Sequence, residues 1–134
     1  MDPTDWLPHR PPFLLVDDVE LTGDGMGARG VWAPGPDRFE GHFPGRPLLP
    51  GVLQVESIAQ VGAFALLASG VEGLPVFAGV DKVRWKRQVL PGDVLDLSVT
   101  LEAMRHGIGR GKGVALVDGD VACSATLLFA LLDV

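Results

Sequence analysis

The sequence is poor in the residues that build redox and metal centres. Cys123 is its one cysteine, so no intrachain disulfide can form, and the count fits a reducing cytosol. A zinc site made of thiolates is excluded. The three histidines, His9, His42 and His106, are too scattered to suggest a ligand set, so neither a metal nor a cofactor is expected. Positive charge is scarce too. Eleven Lys and Arg face seventeen Asp and Glu, and the net charge of −6 argues against general nucleic-acid binding. It leaves room for a local basic patch that meets an acidic partner. The opening "MDPTDWLPHRPPF" lacks a basic-then-apolar leader pattern. The longest apolar segment, residues 48–69, is interrupted by Pro50, Gln54, Glu56, Ser57 and Gln60, so no membrane-spanning helix is expected. Internal repeats and low-complexity linkers are absent as well.

What is present is an ordinary globular composition, 47% hydrophobic and 21% charged. A chain of 134 residues suits one core, and a single domain over 1–134 is expected. Residues 13–19, "FLLVDDV", read as a strand start after Pro11-Pro12, with 26–33 as a hairpin partner across "TGDG". Residues 34–51 hold five prolines and four glycines and predict an irregular loop. Loops of that length in small domains are usually functional or disordered. Phe39, Phe43, Leu48 and Leu49 argue against disorder.

Residues 51–68 predict the one helix. Pro50 suits its first turn, Gly70 its stop, and apolar residues cover nearly its whole circumference, which implies burial on most sides. Strands follow at 75–86 and 94–104, with a turn at 90–93 between them. Two more are expected within 113–134 across the "DGD" turn at 118–120. One helix with about four antiparallel strands after it is an α+β layout, a curved sheet wrapped on a buried helix.

The helix carries one carboxylate, Glu56, with Gln60 one turn on. A carboxylate on a buried helix is costly unless it is paired or functional. Burial would raise its pKa and suit it to proton transfer near neutrality. The alternative is that Glu56 simply points to solvent. His42, in the Pro/Gly loop just ahead, is a natural base near neutral pH, although a lone loop histidine more often serves only to cap or pack. Gly51 sits at the helix start, where free N–H groups and the dipole favour an approaching carbonyl oxygen; a plain Pro-Gly helix entry is the other reading. Base, acid and N–H together suggest proton abstraction α to a carbonyl with loss or gain of a β-hydroxyl. Ser57 and Cys123 have no recognisable nucleophile setting.

Four ordered segments carry a family resemblance: "LPHRPPFLLVDDV" (7–19), "GHFPGRPLLPGVLQVESIAQ" (41–60), "FAGVDKVRWKRQVLPGD" (77–93) and "GIGRGKGVALVDGDVACSATL" (107–127). Together they resemble the (3R)-hydroxyacyl-[acyl-carrier-protein] dehydratases of bacterial type II fatty acid synthesis, which have the hotdog fold. The resemblance implies His42 as the catalytic base, Glu56 as the catalytic carboxylate, Gly51 as the N–H that polarises the thioester carbonyl, and Gln60 as support for the carboxylate. It also implies a cytoplasmic homodimer with His42 and Glu56 drawn from opposite subunits, such dimers often assembling as trimers to give a hexamer, and acyl carrier protein as partner. Dehydratase/isomerase relatives usually carry aspartate where this chain has Glu56, which favours a dehydratase alone. Pro11 stands where relatives often have an aromatic residue, and Gln54 and Ser57 are unusually polar for the helix. With no tyrosine in the chain, any tunnel gate must use Phe, Trp or Leu. Arg84, Lys86 and Arg87, with Arg46 in the loop, form a candidate basic patch for the acidic carrier, or merely a solvated strand face. His9 and Arg10 are expected to be structural. A hotdog acyl thioesterase and a non-catalytic acyl-thioester-binding protein are the alternatives; both catalytic positions being filled disfavours them.

Overall fold

The computed structural model of the protein describes residues 1–133. Strands β1 (Asp18–Leu21) and β2 (Gly27–Trp32) precede the helix α1 (Gly51–Ala68). β3 (Leu74–Trp85), β4 (Leu95–Leu101), β5 (Ile108–Val117) and β6 (Asp120–Leu132) follow it. The six strands form one antiparallel sheet in the order β1-β2-β4-β5-β6-β3, which leaves β3 at an edge. α1 packs against all six strands, most extensively β4 and β2.

The helix boundaries follow from their flanking residues. Pro50 forms the N-cap and has no N–H to leave unpaired. At the other end Gly70 takes φ +95°. Its N–H bonds the Leu67 carbonyl and the Val71 N–H bonds the Leu66 carbonyl, a double closure that satisfies two otherwise free carbonyls. Between these ends the helix is core. Ile58, Val61, Phe64 and Ala65 are fully buried, and so is Ser57, whose hydroxyl donates to the Gln54 main-chain carbonyl. The one exposed residue of the helix is Val52 in the first turn, at 71%, while Glu56 and the closing Leu67 and Ala68 are half-buried. The sheet meets the helix closely at Gly113, where a Cβ would fall 2.2 Å from Ile58 Cγ2. Any side chain there would push helix and sheet apart.

The hairpin between β5 and β6 turns at Asp118 and Gly119, both with positive φ, as the "DGD" signal requires. β5 begins at Ile108, five residues earlier than expected. Val134, the last residue of the expected final strand, lies outside the described residues.

Two expectations are corrected. Residues 13–17 are not strand; pairing begins with the Asp17 N–H on the Val31 carbonyl. The reason is Gln60. Its amide oxygen accepts from Leu15 N–H at 2.8 Å and its amide nitrogen donates to the Phe13 carbonyl at 2.9 Å, so a helix side chain takes the backbone groups that a neighbouring strand would have used. The 34–51 loop is ordered by a short 3-10 turn at Pro36–Phe39, by buried Phe39 and Leu49, and by the Leu49 N–H bond to the Val89 carbonyl. Phe43 does not anchor it: that ring is 52% exposed and stacks on His42.

Candidate active site

His42 stands in the tight turn after the 3-10 segment. Its N–H bonds the Phe39 carbonyl and its carbonyl accepts from Leu48 N–H, so the backbone on both sides is tied. Its Nδ1 lies 3.0 Å from the Leu48 carbonyl oxygen. A carbonyl oxygen only accepts, so Nδ1 carries the proton of this bond, and the neutral ring keeps its lone pair on Nε2. The Phe43 ring packs on the imidazole with centroids 4.1 Å apart. The loop thus supplies an oriented imidazole with one nitrogen free to act as a base. His42 borders an open cavity of about 600 Å³, shared with Gly51, Gln54, Trp85, Lys86 and Arg87.

Glu56 borders a different cavity, of about 210 Å³, lined also by His9, Phe13, Gln60, Phe77 and Phe129. Its side chain is 19% exposed, so it is neither sealed in the core nor turned out to solvent. Gln60 Nε2 donates to Glu56 Oε2 at 2.9 Å, the i, i+4 bond expected from the spacing. Because the other end of the Gln60 amide is held by Leu15, the carboxylate is oriented by a side chain that cannot rotate freely. Within one chain, then, the imidazole and the carboxylate face separate spaces.

Gly51 is the first residue of α1, where N–H groups have no preceding turn to bond. The side-chain space it leaves is not empty. A Cβ there would fall 2.7 Å from the Trp85 indole, whose Nε1–H donates to the Gly51 carbonyl at 3.1 Å. Trp85 therefore lies against the helix start, a contact that nothing in the sequence pattern marks.

The basic residues divide. Lys86 and Arg87 reach the cavity that His42 borders, while Arg84 and Arg46 are exposed beyond its lining. Arg87 is partly committed, to Asp120 at 3.3 Å and to the Val117 carbonyl at 3.2 Å. Arg10 is structural as expected: its guanidinium donates to the carbonyls of Leu7, His9 and Thr4. His9 is more than that. Its Nε2 stands 3.9 Å from Glu56 Oε2, and its Nδ1 is buried with no hydrogen-bond partner. Burial pushes the His9 pKa below the ordinary imidazole value, with Glu56 pulling weakly the other way. Sequence reasoning missed this neighbour of the carboxylate. The only signal was that His9 stands in the same opening segment whose backbone Gln60 holds.

A single long helix packed on a six-stranded antiparallel sheet, with the candidate residues in its first turns and in the loop ahead of it, is a hotdog fold. Solved structures agree. The dehydratase heterocomplex ApeI:P from Xenorhabdus doucetiae superposes with a TM-score of 0.80 at 18% identity, covering 99% of this chain and 92% of that one. A hypothetical thioesterase with coenzyme A from Streptococcus pneumoniae superposes with a TM-score of 0.70 at 12% identity, covering 87% and 85%. At such identities these show the fold alone. The sequence goes further, because the family model of the FabA-like domain matches residues 7–126. The chain belongs to the FabA-like family. Among curated proteins it is 50% identical to the 3-hydroxyacyl-[acyl-carrier-protein] dehydratase FabZ of Alkaliphilus metalliredigens, over 95% of this chain and 89% of that one. It is also 50% identical to the protein of the same name from Bacillus subtilis, over 93% and 92%.

Proposed function

We propose that the chain dehydrates (3R)-3-hydroxyacyl thioesters borne by acyl carrier protein to trans-2-enoyl thioesters in fatty acid biosynthesis. The observation that carries this is half-identity, over nearly the whole chain, to curated 3-hydroxyacyl-[acyl-carrier-protein] dehydratases. In this reading His42 Nε2 takes a proton from C2. The C2–H electron pair becomes the second bond between C2 and C3, the C3–O bond breaks, and the hydroxyl leaves as water with a proton from Glu56. Exchange with solvent returns the pair to its starting state. The Gly51 N–H, at the positive end of α1, takes the thioester oxygen as negative charge grows on it. Gln60 holds the acid in place.

Such a reaction needs base and acid on one substrate, yet the two border separate cavities of one chain. That supports a homodimer in which each site takes His42 from one chain and Glu56 from the other; a trimer of such dimers is the further assembly in this reading. Phe77, Val80 and Trp85, large apolar residues left exposed on the edge strand β3, support the same packing. Lys86 and Arg87, with Arg46 and Arg84 outside them, would steer the acidic carrier. The cytoplasm, where fatty acid synthesis has its soluble carriers, is the compartment that fits.

The test is interconversion of 3-hydroxyacyl and trans-2-enoyl thioesters by wild type, His42→Ala and Glu56→Gln. Both variants are expected to lose activity by orders of magnitude. Full activity in either would remove that residue from the mechanism. Release of free thiol without interconversion would instead support a thioesterase. Charge reversal at Arg84 and Lys86 is expected to weaken use of carrier-bound substrate more than of small thioesters, and an equal effect would count against the patch.

A further inference from the structure

His9 stands beside Glu56 because the segment that carries it is tied to the helix. Gln60 donates to the Phe13 carbonyl and accepts from Leu15 N–H, and the Arg10 guanidinium donates to the His9 carbonyl at 2.7 Å. The Phe13 ring lies nearly parallel to the imidazole, with centroids 6.3 Å apart. His9 Nε2 comes to 3.9 Å from Glu56 Oε2, and both side chains border the same cavity. The other ring nitrogen, Nδ1, is sealed and has no hydrogen-bond partner. Burial holds the His9 pKa below 6.5, so at neutral pH the ring is neutral and has one N–H to place. On Nδ1 that N–H would be a buried donor without an acceptor, and the Nε2 lone pair would meet a carboxyl oxygen. On Nε2 the N–H meets that oxygen instead, and the sealed nitrogen keeps only a lone pair. The Nε2–H tautomer is therefore favoured.

We infer that His9 is a positioning residue of the dehydration: its Nε2–H joins the Gln60 amide at Glu56 Oε2, which leaves Oε1 as the oxygen that carries the acid's proton to the substrate. This rests on the dehydratase reading above. Gln60 donates to Oε2 at 2.9 Å, so in the acid form Oε2 offers a lone pair there and the proton belongs on Oε1. Both hydrogens of the Gln60 amide are then spent, one on Phe13 and one on Oε2, so a second donor must come from another residue. At 3.9 Å the His9 N–H is beyond hydrogen-bond range and acts as a dipole on a carboxyl group held still. Such separations in a free enzyme tighten as charge develops. Proton delivery breaks the Oε1–H bond, forms an O–H bond of the departing water and leaves a carboxylate. Its negative charge is shared with Oε2, beside both N–H groups. The stabilisation exists only once that charge develops, so it lowers the barrier and leaves substrate binding alone.

The tautomer is read by NMR of wild-type protein labelled in the histidine ring nitrogens, at neutral pH. The chain has three histidines, and His42→Ala and His106→Gln identify the other two signals. A protonated Nε2 and an unprotonated Nδ1 are expected for His9, with the Nε2 signal displaced in Glu56→Gln. A protonated Nδ1, or a signal that Glu56→Gln leaves unmoved, overturns the inference without any His9 variant having to fold. The role is read from dehydration kinetics. His9→Phe keeps a ring beside Phe13 and removes the N–H. Its kcat is expected to fall about three- to tenfold at unchanged KM, the size of one neutral hydrogen bond. His9→Gln, which returns an N–H at the reach of Nε2, is expected to recover most of that loss. Equal losses in the two variants, wild-type kcat in His9→Phe, or a rise in KM alone would each leave His9 a packing residue. Wild type that interconverts neither thioester sinks the dehydratase reading itself, whereas active wild type without the split and the rescue sinks only the role of His9.

Discussion

Gln60 donates to Glu56 Oε2 at 2.9 Å while its own amide oxygen receives the Leu15 N–H at 2.8 Å. One buried side chain thus orients the candidate acid and fastens the segment leading into β1. The geometry of the candidate site and the stability of the fold are coupled at this residue.

Gln60→Leu is therefore expected to cost about 2–4 kcal/mol. The buried Leu15 N–H and the Phe13 carbonyl are each left without their partner, at about 1–3 kcal/mol per group. Urea unfolding measures this. A loss below about 0.5 kcal/mol would show that water replaces the amide at both ends.

Gly51→Ala sets a methyl group against the Trp85 indole, with 2.7 Å between them. The expected cost is about 1–3 kcal/mol, as for overpacking elsewhere. If the clash is the cause, Trp85→Ala relieves it, and the double variant is more stable than the sum of the two single changes predicts. Strict additivity would mean that the alanine acts through the backbone instead.

His9 makes stability depend on pH. Its folded pKa is depressed from 6.5, chiefly by burial, so the unfolded chain binds the proton more readily. The neutral ring's contribution is present above that value and is lost as the pH falls through it toward the folded pKa. Melting temperature is expected to drop as the pH falls below the ordinary imidazole value of 6.5, and to drop less in His9→Gln. Glu56→Gln removes a group that raises the His9 pKa, so the depression deepens and the drop starts at the same pH but extends lower. A His9→Gln curve parallel to wild type would remove His9 as its source.

Cys123 is fully buried, and burial pushes its thiol up to about 11. The native protein is expected to resist thiol reagents at neutral pH and to react at the rate at which it opens. Labelling followed with increasing urea checks this. Rapid labelling of folded protein would mean that the β6 backbone opens locally.

Much of the frame was legible because it depends on neighbours in the chain. Pro50 and Gly70 bound α1 through backbone geometry that only those residue types supply readily, and Asp118-Gly119 turns the last hairpin for the same reason. The Glu56–Gln60 bond followed from helical spacing. The segment at 13–17 was misread because a short apolar run after Pro11-Pro12 reads as a strand start, while its partner is a side chain 45 residues away. Phe43 was read with Phe39, Leu48 and Leu49 as an argument against disorder, and the loop is ordered, yet the Phe43 ring stacks outward on His42.

The sequence by itself determined the residue types of the candidate site, their order along the chain and the limits of the helix that presents them. Periodicity and capping are local, and four ordered segments identify a family without coordinates. Only the tertiary structure decided which space each group faces. It turned His42 and Glu56 to separate cavities, set Trp85 against Gly51, brought His9 beside Glu56 and left the His9 Nδ1 without a hydrogen-bond partner. Those relationships join residues distant in sequence or depend on what a side chain fails to meet, and packing alone settles both.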